Sequence, residues 1–382
     1  MRIAHLCLSC FYVDNCAYQE NQLVAQNVRD GHEVMVIAST EVIDEKGHLN
    51  YVPPSSYLGS DGAQVHRLPY SRWLPEGVAR KLRIYEGTRQ HLSDFKPDVI
   101  LFHGACALDL LVIAKFVRQH PEVSWYVDCH EDFNNSARNV VSKWLLHGLI
   151  YRPALRHVLP KVRKVLCITP ESIVFMLQFY GLQSEQVELF PLGGDVYEDV
   201  AYNNVRTAER YSRGIADNTC LFVQSGKMDA AKKLTCTLRA FRQIPGDHVR
   251  LVLAGNLMPD VESEVLALIA ADPRVSFIGW VNPDALKNLL CAADVYVQPG
   301  SQSATMQMSL CCRCAVVLDD VTSHHIYHDR NGHLVQSESQ LMAALLDMAH
   351  SSREELVAMS NRSRDIAARW LDYRKLAKRI LS

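Results

Sequence analysis

The chain has 382 residues, enough for two ordinary domains that each bury a core. Its 40 lysines and arginines against 42 aspartates and glutamates leave a net charge of −2, which excludes a general polyanion binder, so no nucleic-acid partner is expected. The 48% hydrophobic content fits a globular protein, and no apolar run reaches the roughly 18–20 residues that a spanning helix needs.

The first residues, "MRIAHLCLSC", lack the charged start and small-residue cleavage site of a leader, so no signal peptide is expected. The 12 cysteines are then expected as free thiols in a reducing, cytoplasmic setting. Taken in chain order, "RIAHLCLS", "EVMVIAS", "DVILFHG", "SWYVDCH", "KVLCITP" and "VELFPLG" predict buried strands. Amphipathic stretches such as "QENQLVAQNVRDG" and "ALDLLVIAKFVRQH" lie between them and predict helices. Near-continuous apolar strands separated by helices indicate a parallel sheet covered on both faces. A polar stretch, "VYEDVAYNNVRTAERYSRGIAD", reads as a linker or domain edge. The strand–helix pattern then restarts with "TCLFVQSG", "VRLVLAG", "VSFIGW", "DVYVQP", "AVVLDD" and "GHLVQ". The fold class is therefore α/β, with two Rossmann-like units in series at 1–195 and 196–366. The amphipathic tail 367–382 is expected to pack back on the first.

In open parallel sheets ligands bind at the carboxyl ends of the strands, so the loops there hold the candidate site residues. Two facing units would line a cleft with both sets. After the first strand, Tyr18, Gln19, Glu20 and Asn21 crowd polar groups where a helix starts, suiting contact with an acceptor. The alternative is Glu20 offsetting the helix dipole. "DCHEDFNN" places His130 and Glu131 at another strand end, suiting a sugar hydroxyl or proton handling. The segment 144–164 mixes apolar residues with Arg152, Arg156, Lys161, Arg163 and Lys164. It would suit an anionic membrane surface, or simply be a solvated helix face.

In the second half, "SGKMDAAKKLTCTLRAF" follows a strand. Gly226 permits a close turn, and Lys227 and Lys232 bracket a loop leading into a helix, an arrangement suited to clamping a diphosphate. The alternative is a solvated basic turn. The loop "GSQSATMQ" also joins a strand end to a helix start and has no charged residue. Backbone N–H groups with Ser301, Gln302, Ser303, Ala304, Thr305 and Gln307 would cradle the donor, with charge supplied by the lysines if the two loops adjoin. Capping by Ser303 or Thr305 is compatible with this. "CCRC" near His324, His325 and His328 gives no clean metal-ligand spacing, and no metal site is expected.

Together these pieces resemble the GT-B glycosyltransferases, in particular the large retaining, nucleotide-sugar-dependent group that includes bacterial lipopolysaccharide, capsule and mannosyl transferases. The resemblance runs over nearly the whole chain. "DGHEVMVIAS" is similar to the group's second strand. "ITPESIVFMLQFYGLQSEQVELFPLGGD" is similar to the segment ending in an asparagine–glycine–x–aspartate turn, and "SGKMDAAKKL" to its glycine–arginine loop. There Lys227 stands for the arginine and Lys232 for the lysine. "VRLVLAGN", "VSFIGWVNPDALKNLLCAADVYVQPGS" and "NGHLV" continue in the same order. The resemblance implies metal-independent, retaining transfer from a nucleotide-diphosphate sugar, with no cofactor. It gives the donor to the second domain and the acceptor, a glycan or lipid-linked glycan, to the first. It assigns catalysis to His130, Lys227 and Lys232, and implies envelope or capsule polysaccharide synthesis, at the inner face of the cell membrane if 144–164 touches it. The chain departs from the group in two places. The group's spaced pair of glutamates is missing from "GSQSATMQ", where Gln307 or Met308 falls at the second, and "CAYQEN" replaces a glycine pair. A divergent member fits this better than a non-catalytic subunit of an assembly complex, because the diphosphate lysines remain; an epimerase or hydrolase on the same fold would want carboxylates in the cleft, for which only Glu20, Glu131 and Asp132 are candidates.

Overall fold

The computed structural model describes residues 1–16, 18–43, 48–133, 136, 142–300 and 303–381. It divides into two compact units, Met1–Pro191 with Tyr373–Ser382, and Leu192–Asp372. Both are Rossmann-like, each a parallel sheet with helices on its faces.

In the first unit the strands are β1 (Arg2–Cys7), β2 (Glu33–Ser39), a small antiparallel pair β3 (Glu41–Ile43) and β4 (Leu49–Tyr51), then β5 (Ser55–Leu58) and β6 (Gln64–Leu68). They continue as β7 (Val99–Phe102), β8 (Ser124–Cys129), β9 (Val165–Cys167) and β10 (Val187–Leu189). The main sheet runs β10-β9-β8-β7-β1-β2-β6-β5, with β5 alone antiparallel to its neighbour. The order reverses between β1 and β7, so their carboxyl ends open a crevice of the kind that takes ligands. Apolar strand residues such as Ile3, Leu6, Ile100 and Phe102 are fully buried, as two covered faces require. The helix Tyr373–Arg379 joins this unit's core: Tyr373, Leu376 and Ile380 pack with Ile3, Leu23, Val99 and Phe190. Segment 144–164 is a π-helical stretch, Ser142–Tyr151, running into the helix Arg152–Val158.

The second unit has β11 (Cys220–Met228), β12 (Val249–Leu257), β13 (Val275–Phe277), β14 (Val295–Gln298), β15 (Ala315–Asp319) and β16 (Gly332–Val335). Its order is β13-β12-β11-β14-β15-β16, all parallel, with the reversal between β11 and β14.

The stretch expected to be a linker is instead the helix Asp199–Ser212. Its inward face carries Tyr202, Arg206 and Arg210, all buried and spaced for one helix face. Two of those three are arginines, so apolar periodicity never signalled a helix. Arg206 donates to the carbonyls of Cys291, Ala292 and Ala293, at the end of the helix Pro283–Ala292, and to Asp294. Arg210 donates to Ala292 and Asp294. A buried cation here satisfies both the free carbonyls of a helix end and a buried carboxylate.

The candidate donor loops and the histidine centre

Site residues in the second unit stand at the carboxyl ends of β11 and β14, beside the reversal point. Gly226, with φ +127°, and the exposed Lys227 lie in the last three residues of β11, paired with Gly255 and Asn256 of β12, so Lys227 stands in the strand and not in the loop expected to follow it. Asp229 then closes the turn Ala230–Lys232 by accepting from the Lys232 amide at 3.2 Å, and Lys233 turns left-handed (φ 52°) into the helix Leu234–Arg242. Lys232 is only 6% exposed, and its carbonyl accepts from Gln224 Nε2 at 3.1 Å. A β-carbon on Gly226 would lie 3.9 Å from Lys232 Cε, so the lysine side chain passes over the glycine turn. Burial lowers the Lys232 pKa and Asp229 offsets part of that. An anion at the ammonium would compensate the desolvation.

The two loops adjoin. A β-carbon on Gly300 would fall 2.1 Å from the carbonyl oxygen of Ala231 and 3.0 Å from Lys232 Cα. Only glycine allows the backbone after β14 to sit directly on the lysine turn. Ser301 and Gln302 lie outside the described residues. Ser303 takes the N-cap position of the helix Ala304–Cys311, yet no side chain caps this end. Its hydroxyl donates instead to Gln298 Oε1 at 2.6 Å, which also receives the Tyr296 hydroxyl at 3.2 Å. The capping alternative for Ser303 is thus not what the hydroxyl does. Ala304 is exposed, Thr305 half-buried and Gln307 7% exposed. The Gln307 Oε1 has no hydrogen-bond partner among the described residues. A cavity of about 190 Å³ opens nearby, lined by Lys233, Cys236, Pro299 and Glu338. A roomier one, about 480 Å³ and lined by Arg206, Arg313, Arg353 and Arg364, lies at the opposite, amino end of β14, so volume alone does not mark the candidate site.

In the first unit the residues expected to touch an acceptor separate into two kinds. Tyr18 is 48% exposed. Gln19 and Asn21 turn inward, donating to the carbonyls of Pro191 at 3.3 Å and Val13 at 3.0 Å. These two brace loops rather than face solvent. Glu20 is 6% exposed, and its carboxyl is raised mainly by burial, with His103 and His130 opposing. Glu131 accepts from the His130 amide at 3.1 Å.

His130 keeps 37% of its side chain exposed, and its Nε2 lies 3.6 Å from Asp128 Oδ1. Asp128, 1% exposed, accepts from the Gly104 amide at 2.6 Å and from His103 Nδ1 at 2.5 Å. Behind it, His103 Nε2 is 3.0 Å from His5 Nδ1, and His5 Nε2 is 2.9 Å from the Asn27 amide. Burial would raise the Asp128 carboxyl, but His103 and then His130 hold it well below the usual carboxylate range. Burial opposes charge on His103, yet Asp128 raises it to about 9. His130 is raised the same way, Asp128 outweighing burial. His5 is lowered, by burial and then by His103. Sequence patterns missed His5 and His103 because they sit in runs that read as apolar strands. Their signal was a histidine within or just after a strand of a two-faced sheet.

The cysteines are free thiols. Cys312 and Cys314 donate to the carbonyls of Lys287 and Leu290, at 3.6 and 3.2 Å. Among the described residues no group of three or more His, Cys, Asp or Glu is placed to hold a metal ion, and no helix is long and apolar enough to cross a membrane.

Comparison with known proteins agrees with the two-unit architecture. Residues 218–351 match the family Glycosyl transferases group 1, and residues 18–193 match the Glycosyl transferase 4-like domain. The chain carries both glycosyltransferase domains. An uncharacterized glycosyltransferase of Methanocaldococcus jannaschii is 25% identical over 287 residues, covering 71% of this chain and 67% of that protein. Among solved structures, sucrose-phosphate synthase of Thermosynechococcus elongatus is similar at TM-score 0.70 and 15% identity, over 100% of this chain and 97% of that one. HepE of Anabaena, in complex with UDP, gives 0.67 at 14% identity, over 100% and 98%. WaaG, a glycosyltransferase involved in lipopolysaccharide biosynthesis, gives 0.64 at 16% identity, over 99% of each chain. The fold of this glycosyltransferase is therefore GT-B.

Proposed function

We propose that the protein transfers a hexosyl residue from a nucleotide-diphosphate sugar to a glycan or lipid-linked glycan in envelope or capsule polysaccharide synthesis. The second unit holds the donor, and the first holds the acceptor and supplies His130 to the transferred sugar. Transfer needs no metal or other cofactor and retains configuration. The observation that carries this proposal is the seating of Gly300 on the Ala231–Lys232 backbone beside a buried lysine. It brings the backbone after β14 against the turn that carries Lys232, whose side chain is desolvated, a combination that suits a diphosphate. As the sugar–oxygen bond breaks, negative charge grows on the leaving diphosphate. Lys227, Lys232 and nearby backbone N–H groups would meet that charge, and groups held in place beforehand leave little reorganisation to oppose the transition state. HepE, a structural neighbour, has been seen with UDP and with UDP-glucose, which supports a donor of this class. In place of the missing glutamate pair, Thr305 and the Gln307 amide would contact the donor. The helix after residue 141 exposes Trp144, Leu145 and Leu149, with Arg156, Lys161 and Arg163 exposed further along. That surface fits peripheral contact with an anionic membrane.

The test is a panel of nucleotide sugars incubated with the protein and a chelator, reading release of nucleoside diphosphate and transfer to added glycan. Turnover with one donor in the presence of chelator is expected. Activity abolished by the chelator and restored by magnesium or manganese would contradict the metal-free mechanism.

A further inference from the structure

The path from His130 into the protein is a line of four polar side chains: Asp128, His103, His5 and Asn27. It crosses β8, the end of β7, β1 and the helix Gln19–Arg29. His103 is 1% exposed, and His5 and Asn27 are fully buried. The line therefore meets solvent only at His130. Nothing in diphosphate binding requires it, and burying two imidazoles and a carboxylate side by side is costly unless their protons are matched to acceptors.

Two proton patterns satisfy the same heavy-atom positions. In the first, His103 carries one proton, on Nδ1, and donates it to Asp128. Its Nε2 then accepts from His5 Nδ1–H, and His5 Nε2 accepts from the Asn27 NH₂ group. In the second, His103 carries both protons and donates to Asp128 and to His5 Nδ1. His5 must then carry its proton on Nε2 and needs an acceptor. Asn27 supplies one if its amide turns over, exchanging nitrogen for oxygen. The Asn27 Oδ1 has no other hydrogen-bond partner among the described residues, so the turn breaks no bond to the oxygen. Asparagine at the closed end suits both patterns; aspartate or leucine would suit at most one.

We propose that His103, backed by His5 and Asn27, is a positioning residue that sets the proton occupancy of His130 by competing with it for the single carboxylate of Asp128. When His103 is cationic it neutralises Asp128, and His130 releases its proton more readily. When His103 is neutral the carboxylate charge faces His130 and holds a proton there. The other titratable groups facing this centre are Glu20 from the helix Gln19–Arg29, Cys7 from β1, Cys10 from the loop after β1, and Glu131 beside His130. Both acids favour charge on His130, so the competition is tuned by them but not created by them. The significance of His130's proton for transfer rests on the proposed function. The existence of the competition does not.

The experiment is nitrogen-15 histidine NMR on the full chain, with a pH titration of the parent and of His103→Asn and Asp128→Asn. In the parent, His103 and His130 are expected to titrate as a coupled pair, each ring responding to the other's transition. Loss of the competing cation should raise the His130 midpoint by about 1 unit or more in His103→Asn, and loss of the carboxylate should lower it comparably in Asp128→Asn. Opposite signs are what a purely structural line of hydrogen bonds would not give. Independent titrations in the parent, or an unmoved His130 midpoint in the folded variants, would overturn the proposal. The parent measurement decides it alone if a variant does not fold. The pH profile of transfer is then compared. If the NMR coupling is present and the rate profile does not follow His130, the competition stands and the role of His130 in transfer falls.

Discussion

Lys232 is the residue on which donor binding is expected to turn most sharply. It is buried, its pKa is lowered by that burial, and Asp229 only partly compensates. Lys232→Ala should weaken nucleoside diphosphate binding by about 3–5 kcal/mol while leaving the free nucleoside nearly unaffected, measured by calorimetry with both ligands. Thr305→Val keeps shape and removes a hydroxyl. If that hydroxyl meets a phosphate oxygen, the loss should be about 1.5–3 kcal/mol, and an unchanged affinity would remove Thr305 from the donor contacts. His103 makes a separate prediction about stability. Its folded pKa, about 9, is above the ordinary 6.5, so its contribution is fully present below pH 6.5 and is lost as pH rises towards 9. Thermal stability should fall across that window by up to about 3 kcal/mol equivalent, and His103→Asn should flatten the slope. Asp128 acts on the other side: its carboxyl is depressed, so its stabilisation fades as acid protonates it. An equal slope in parent and variant would mean that other groups set the alkaline decline.

Among the elements, the helix Asp199–Ser212 shows where sequence patterning stops being informative. Its buried face is held by ion pairs to Asp294, 2.5 Å from Arg206 and 3.1 Å from Arg210, so charge stands where apolar periodicity would have been sought. Asp294→Asn leaves two buried guanidiniums facing a neutral amide and should cost about 3–5 kcal/mol in denaturant unfolding. A loss near zero would mean that the carbonyls of the helix Pro283–Ala292 suffice to hold both arginines. The strands were legible because near-continuous apolar runs of that length, too short to span a membrane as a helix, fit strands covered on both faces. The lysine loop was legible because two cations beside a glycine turn are unusual. The contact between the two donor loops was not, since Gly300 resembles any loop glycine until the backbone of Ala231 is found against it. Gly300→Ala should separate the loops and lower diphosphate affinity without unfolding β14, a split that binding and circular dichroism would show together.

For the whole molecule, two sheets with reversal points at β1/β7 and β11/β14 place His130 just after β8 and Lys227, Lys232 and Gly300 at or just after the carboxyl ends of β11 and β14. That much followed from alternating strands and helices alone. What patterning left out was the buried histidine line behind His130, because hydrogen-bond partners far apart in sequence leave no local spacing to read: His5 and His103 are separated by 98 positions. The central claim is that the two loops of the second unit form a diphosphate site for a sugar donor. Calorimetric titration of the chain with UDP and GDP, beside the same titrations of Lys232→Ala, tests it most directly. The account predicts saturable binding of at least one nucleoside diphosphate by the parent and its loss, by two orders of magnitude or more on the order of the energies above, in the folded variant. A parent that binds neither nucleotide, or a variant that binds as tightly as the parent, would contradict it.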